Sequence, residues 1–96
     1  EQHGRRPALV IQSNAANEVE AYGLVIVLAM STGGHRDNLL HVPVEPSKLN
    51  GLAQRGVVRC EQILTIAKDR LDGYIGQLEP RYLAAIEQNV RDILSL

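Results

Sequence analysis

The apolar residues of this chain fall into short runs of strand length, and this grouping limits the folds open to it. Val, Ile and Leu dominate residues 22–30 and 57–66, and polar or glycine-containing segments bound both runs. Runs of nine and ten residues favour buried strands over helices. Further strands are predicted at residues 6–13, 39–44 and 74–78. Residues 14–20 and 47–55 are predicted loops or turns.

The last segment has a different period. Leu83, Ile86, Val90 and Ile93 recur at helical spacing, and Pro80 suits a first helical turn. A set of strands followed by one amphipathic C-terminal helix predicts a small barrel or compact sheet with a helix packed on it. Ninety-six residues leave room for one core, so residues 1–96 are expected to form a single domain.

Charge alone does not point to a polyanion partner, because the net charge is −1 and nucleic-acid-binding domains are usually basic. The charge is uneven, however: residues 48–70 carry a local +3 and residues 71–96 a local −2. One face could therefore meet a polyanion, although scattered solvated charge is the alternative. An aromatic content of 3% disfavours RNA-binding modules that stack bases on exposed rings.

Composition also bounds the compartment and the cofactors. The single cysteine, Cys60, allows no internal disulfide, and the longest apolar run, residues 24–30, is about a third of the ~20 needed to span a bilayer. We expect a cytoplasmic protein that does not enter a membrane. His3, His35 and His41 lack metal-ligand spacing, so no metal or cofactor is predicted. His41 alternates with apolar residues and is expected to face solvent.

Arg59 and Glu61 form the most informative pair. On a strand they share one side, with Cα atoms ~6.6–6.8 Å apart, while Cys60 and Gln62 face the other side. A cation beside a carboxylate suits an electrostatic clamp and a base for phosphoryl chemistry. The same spacing also describes an ordinary surface ion pair. Cys60 is expected to be a small buried apolar residue.

Two further polar groups could bind phosphate. Arg5 and Arg6 precede the first predicted strand, and paired arginines either contact phosphates or remain solvated. Ser31 and Thr32 follow a buried strand and precede two glycines, which would offer hydroxyls and free backbone N–H groups to a phosphate. The same residues also make an ordinary turn.

These pieces together resemble the MazF/PemK/Kid toxins of bacterial toxin–antitoxin systems. Residues 1–11, EQHGRRPALVI, match the family's E-Q-x-G-x-R-P-x-L-V stretch, and residues 31–34, STGG, stand where those toxins have T-S-x-x or T-S-G-G. Residues 56–62, GVVRCEQ, with Thr-Ile at 65–66, are similar to the Kid version G-V-V-R-C-D-Q with T-I-D after it. The L-x-P segment at residues 78–80 also fits.

The resemblance implies a mainly β (α+β) fold: a homodimeric SH3-like barrel of about five to seven strands with an amphipathic C-terminal helix. It implies metal-independent, sequence-specific cleavage of single-stranded mRNA, leaving 2′,3′-cyclic phosphate and 5′-OH ends. The implied partner is a cognate antitoxin whose disordered segment blocks the RNA groove. Two alternatives stay open: a non-catalytic CcdB-like toxin, and a degraded relative that acts only by protein binding.

Carried over residue by residue, the resemblance assigns Glu61 as the base and Arg59 and Arg6 as phosphate holders. Ser31 matches the catalytic-site threonine of the family, and Thr32 supplies the second hydroxyl. The residues expected to contact RNA are Arg5, Gly33, Gly34, His35, Arg36 and Gln62.

Four departures from the family pattern stand out. Glu61 is one methylene longer than the Kid-type aspartate, so its carboxylate must be re-aimed. Ser31-Thr32 reverses the usual Thr-Ser order, and Leu64 stands where many relatives have arginine. The family's first strand, and the histidine before its Glu-Gln pair, precede the point where the printed sequence begins, so both are expected to be missing here; His3 is not that histidine's equivalent.

Overall fold

A computed structural model of the chain describes residues 6–11, 23–32 and 39–96. These ranges contain one antiparallel sheet with the strand order β1-β2-β4-β3 and one C-terminal α-helix, α1. The elements are β1 (Ala8–Val10), β2 (Leu24–Thr32), β3 (His41–Val44), β4 (Gly56–Ala67), a 3₁₀ turn (Lys68–Arg70) and α1 (Pro80–Leu94). The mainly β fold with a C-terminal helix is confirmed, and β3, with its proline, lies at a sheet edge as predicted.

The core lies between one face of the sheet and α1. Alternate residues of the three longer-paired strands point into it, and Ile86 of α1 packs against them. The buried set is Leu28, Met30, Val42, Val44, Val58, Cys60 and Ile86. Each fully buried aliphatic side chain of this kind contributes about 1.5–3 kcal/mol. The opposite face of these strands carries polar side chains together with three buried valines, Val25, Val27 and Val57.

A bulge interrupts the pairing of β2 with β4. Leu28 pairs with Ile63, but the next residue, Ala29, pairs with Arg59, so residues 60–62 have no partner on β2. Cys60, the first residue of the bulge, and Ile63, the residue after it, both pack toward the core, so the core-facing positions are three residues apart here instead of two. Bulges bend a strand and re-aim its side chains, and this one places Glu61 at its centre.

The segment at residues 74–78, predicted as a strand, is not one. It crosses the turn at residues 47–51 and makes one backbone hydrogen bond to it, from the Gln77 N–H to the Leu49 carbonyl oxygen at 2.9 Å. Gly51 has φ +70°, and a Cβ added there would overlap the carbonyl of Ile75. A Cβ at Gly76 would overlap the Leu49–Asn50 backbone in the same way. This close backbone approach takes the segment away from the sheet.

The remaining predicted elements differ only in their bounds. The first predicted strand is paired over Ala8–Val10, and the Ile11 N–H extends it with a hydrogen bond to the Ile26 carbonyl at 3.1 Å. The predicted turn around residues 47–55 is present. The loop predicted at residues 14–20, and the start of the strand predicted from residue 22, lie outside the described residues.

Asn50 ties this turn to the start of α1. It is 4% exposed, and no other polar residue in the described ranges is as buried. Its Nδ2 donates to the Glu45 carbonyl and to Glu79 Oε1, at 2.9 and 3.1 Å, and its Oδ1 accepts from the backbone N–H groups of Ser47 and Leu52. The whole turn preceding β4 therefore depends on one side chain.

Replacing Asn50 with alanine is expected to lower the free energy of unfolding by about 2–3 kcal/mol, because buried donors and acceptors lose their partners. The measurement is the urea unfolding midpoint at a fixed protein concentration. Gln54→Ala, at an exposed position of the same loop, is the matched control and should stay within about 0.5 kcal/mol of the parent protein. Equal stability of the two variants would contradict this role for Asn50.

Candidate active site

Four polar side chains lie together on the sheet face that α1 leaves uncovered. The strand registers place Ala29 of β2 and His41 of β3 on either side of Arg59 of β4. Ser31 follows Ala29 by two residues, and Glu61 follows Arg59 by two, which places them on the same face. The site thus spans three adjacent strands, with the hydroxyl on β2, the guanidinium and carboxylate on β4, and the imidazole on β3.

Arg59 is oriented by a hydroxyl of the neighbouring strand. Its Nε donates a hydrogen bond to Ser31 Oγ at 3.2 Å, and both side chains are half-buried. This contact uses the Nε edge of the guanidinium and does not involve its terminal nitrogens. A guanidinium stays protonated at any physiological pH, so this part of the site carries a permanent positive charge.

Glu61 is held by His41, a residue predicted from alternation to face solvent. The imidazole Nε2 lies 3.1 Å from Glu61 Oε2, with side-chain exposures of 13% for His41 and 32% for Glu61. The expectation for His41 was wrong because its cross-strand neighbour is set by the β3–β4 register, which alternation within one strand does not report. No local pattern signals this contact, because it joins residues 20 positions apart in the sequence.

The surroundings of Glu61 favour its ionised form. Partial burial works to raise the pKa of the Glu61 carboxyl, but the hydrogen bond from His41, one from its own backbone amide, and the charges of His41 and Arg59 together lower it below its ordinary value. Glu61 is therefore a carboxylate at neutral pH, able to accept a proton. Glu61 contacts His41, and Arg59 contacts Ser31. Arg59 and Glu61 therefore do not form with each other the ordinary surface ion pair that their spacing also allowed.

The other predicted site residues are divided between the described and the undescribed parts of the chain. Arg6 is exposed and precedes β1; continuing the β1–β2 register by two residues sets it level with Ser31. Thr32 is exposed at the end of β2, and Gln62 is exposed within the bulge. The positions that lie outside the described residues are Arg5, Gly33, Gly34, His35 and Arg36.

Cys60 lies behind the site and takes no part in it. Its side chain is fully buried in the core, and Asn89 of α1 donates to Sγ at 3.7 Å. Burial raises the pKa of the Cys60 thiol, and the charge of Glu61 acts in the same direction, against a smaller opposing effect of Asn89. The prediction of a small buried apolar residue is confirmed.

The described part of the chain holds neither a cluster of metal ligands nor a membrane-spanning helix. Over residues 6–11, 23–32 and 39–96, no three His, Cys, Asp or Glu side chains converge as a metal site would require. Across the same ranges, no helix combines the length and apolar character needed to cross a bilayer.

The described residues form a curled antiparallel sheet with a helix on one face, which is a small, mainly β fold. The other face of the sheet carries the four side chains of the candidate site. The sequence profile of the PemK-like, MazF-like toxins of type II toxin-antitoxin systems matches residues 1–94. The chain belongs to this family. The resemblance drawn from its motifs is thereby confirmed.

Solved structures with the same fold support this membership. A mycobacterial endoribonuclease in complex with its cognate antitoxin is 28% identical, with a TM-score of 0.79 over 98% of this chain and 84% of that one. The Mycobacterium tuberculosis toxin MazF-mt6 is 27% identical, with a TM-score of 0.80 over 95% and 87%. MazF from Deinococcus radiodurans is 25% identical, with a TM-score of 0.78 over 100% and 82%. No curated protein sequence is significantly similar to the chain.

Proposed function

We propose that this protein is an endoribonuclease toxin that cuts single-stranded mRNA at specific sequences, without a metal ion or cofactor. The observation that carries the proposal is that Arg59, oriented by Ser31, and the ionised carboxylate of Glu61, held by His41, lie on the same face of the sheet. Membership of the toxin family and the likeness to a solved mycobacterial endoribonuclease support it. A non-catalytic CcdB-like toxin would have no use for these two residues, and cleavage of RNA is the test that separates the proposal from a degraded relative that acts only by protein binding.

The proposed reaction is an internal transesterification of RNA. Glu61 takes the proton of a ribose 2′-OH, and the 2′-oxygen attacks the adjacent phosphorus. The bond from phosphorus to the 5′-oxygen breaks, so the products are a 2′,3′-cyclic phosphate and a 5′-OH that takes its proton from water. Arg59 stabilises the negative charge that grows on the phosphate oxygens, and a guanidinium is too weak an acid to serve as the proton donor.

Ser31 and Arg6 complete the proposed phosphate site from the β2 side. Ser31 limits the orientations of Arg59 through the Nε–Oγ hydrogen bond, so the guanidinium meets the phosphate already oriented. Arg6, level with Ser31, would contribute a second positive charge, and Thr32 a second hydroxyl. The RNA contacts assigned to Gln62 and to residues 5 and 33–36 remain part of the proposal.

The proposed partner is an antitoxin with an acidic, disordered segment. One relative has been solved in complex with its cognate antitoxin. A disordered acidic segment could follow the basic residues 48–70 and cover Arg59, which would block RNA by competition. We further propose that the protein acts as a homodimer in the bacterial cytoplasm.

The test is cleavage of a long single-stranded RNA in the presence of EDTA, followed by mapping of the ends. We expect cuts at a short recurring sequence, with 2′,3′-cyclic phosphate and 5′-OH ends and an unchanged rate at saturating EDTA. The matched control is the same RNA with 2′-deoxy substitution at the cut site, which removes the nucleophile and should not be cut. A protein that cuts no RNA would favour the protein-binding alternatives, and loss of cleavage in EDTA would refute metal independence.

A further inference from the structure

The contact between His41 and Glu61 has no role in the reaction as proposed above. Glu61 sits in a bulge, and a glutamate side chain at such a position has many rotamers open to it. The hydrogen bond from His41 Nε2 occupies Oε2 and selects one of them. This hydrogen bond does not involve Oε1, the oxygen that we assign to accept the proton.

We propose that His41 is a positioning residue that holds the Glu61 carboxylate in the orientation needed to take the 2′-OH proton. This inference rests on the proposed ribonuclease function. The exposures of the two groups support positioning over direct contact with RNA, because the imidazole is the inner group, at 13%, and the carboxylate the outer one, at 32%. RNA approaching this face meets the carboxylate first.

The imidazole is itself anchored by the sheet. His41 pairs with Arg59 in the β3–β4 register, and the Cys60 N–H donates to the Leu40 carbonyl at 3.1 Å, which fixes the backbone on both sides of the contact. A side chain held by a paired strand can orient a mobile one in a bulge. If the imidazole were also in an unpaired segment, the contact would fix the orientation of neither side chain.

The contact also sets the proton affinity of the carboxylate. Among the described residues of β2, β3 and β4 that form the site, the charged or titratable groups are Arg59, Glu61 and His41, with the neutral hydroxyl of Ser31 beside them. The His41 hydrogen bond favours the ionised carboxylate, so its removal raises the pKa of Glu61. Cleavage needs the ionised form, so the acid limb of the pH profile then moves to higher pH.

The experiment compares His41→Ala and His41→Gln with the parent protein in RNA cleavage over a range of pH. Glutamine keeps an N–H donor near the position of Nε2 but cannot transfer protons as imidazole does. We expect His41→Ala to lower kcat about 10- to 100-fold, the range known for residues that orient catalytic groups, with little change in KM. The acid limb of the pH profile should move to higher pH. His41→Gln should retain most of the parent rate, and its acid limb should lie close to that of the parent protein.

Two outcomes would overturn the inference. If His41→Gln is as defective as His41→Ala, the imidazole transfers a proton itself; if neither variant changes the rate or the acid limb, His41 positions nothing. Arg91→Ala, which removes the exposed pair with Glu87 on α1, is the matched control and should change neither. Thermal melting of each variant separates these effects from loss of the fold.

A measurement without RNA separates this inference from the proposed function. The pKa of the Glu61 carboxyl, followed by NMR, should rise in His41→Ala and stay near the parent value in His41→Gln. If the parent protein cuts no RNA but this rise is seen, the ribonuclease proposal fails while the control of Glu61 by His41 stands. If the carboxyl pKa does not change in His41→Ala, the inference fails whatever the activity.

Discussion

Glu61→Gln is expected to lower kcat for RNA cleavage by about 10²–10⁴-fold, the range for removing a general base. The amide oxygen of glutamine can still accept the hydrogen bond from His41 Nε2, so the geometry seen at Glu61 Oε2 is kept while the ability to take a proton is lost. The measurement is single-turnover cleavage of an RNA that contains one mapped site, with binding of the same RNA measured in parallel.

Binding by Glu61→Gln should be unchanged or slightly tighter, because the substitution removes a negative charge from a face that meets phosphate. Glu45→Gln is the matched control: Glu45 is an exposed carboxylate paired with Arg55 away from the site, and its loss should leave cleavage within twofold. Full cleavage activity in Glu61→Gln would remove this residue from the role of base.

Arg59→Ala is expected to lower kcat by about 10²–10³-fold, the cost of removing one stabiliser of transition-state charge. Arg59→Lys should lie between the parent protein and Arg59→Ala. Lysine restores a positive charge, but its ammonium lacks the planar fork and the Nε that bonds to Ser31 Oγ. Single-turnover rates, together with RNA binding at two salt concentrations, separate loss of binding from loss of catalysis.

The control for Arg59 is Arg55→Ala, which removes a positive charge from the exposed loop just before β4. It should weaken RNA binding slightly at low salt and leave the cleavage step unchanged. If Arg59→Ala and Arg55→Ala behave alike, Arg59 acts only as one more positive charge. That result would favour the two alternatives that act by protein binding, the CcdB-like toxin and the degraded relative.

The outcomes for the individual motifs show what a linear pattern can report. The short apolar runs predicted the strands, and the helical spacing at residues 83–93 with the proline at 80 predicted α1. Both predictions succeeded because strands and helices depend on local periodicity. The motif around Arg59 was predicted to lie on one strand, and Arg59 and Glu61 do lie together on β4. Residues 74–78 were misassigned because two glycines let that segment run against the turn at 47–51, a contact between distant parts of the chain.

The bulge in β4 shows the same limit at the site. Strict alternation put Arg59 and Glu61 on one face, which agrees with the structure, but it also put Gln62 on the core side, where the structure instead leaves it exposed. An unpaired stretch at residues 60–62 is a property of the register between β2 and β4. Nothing in the local sequence GVVRCEQILTI marks it.

The sequence by itself determined the family, the mainly β fold with its C-terminal helix, and the identity of the arginine and carboxylate proposed for catalysis, because motifs and periodicities are written along the chain. Only the tertiary structure decided the partners of those residues. Ser31 reaches Arg59, and His41 reaches Glu61, across strands that are about 20 to 30 residues apart in sequence. Such contacts are set by strand register and by a bulge, and these are fixed when the core of the sheet packs against α1.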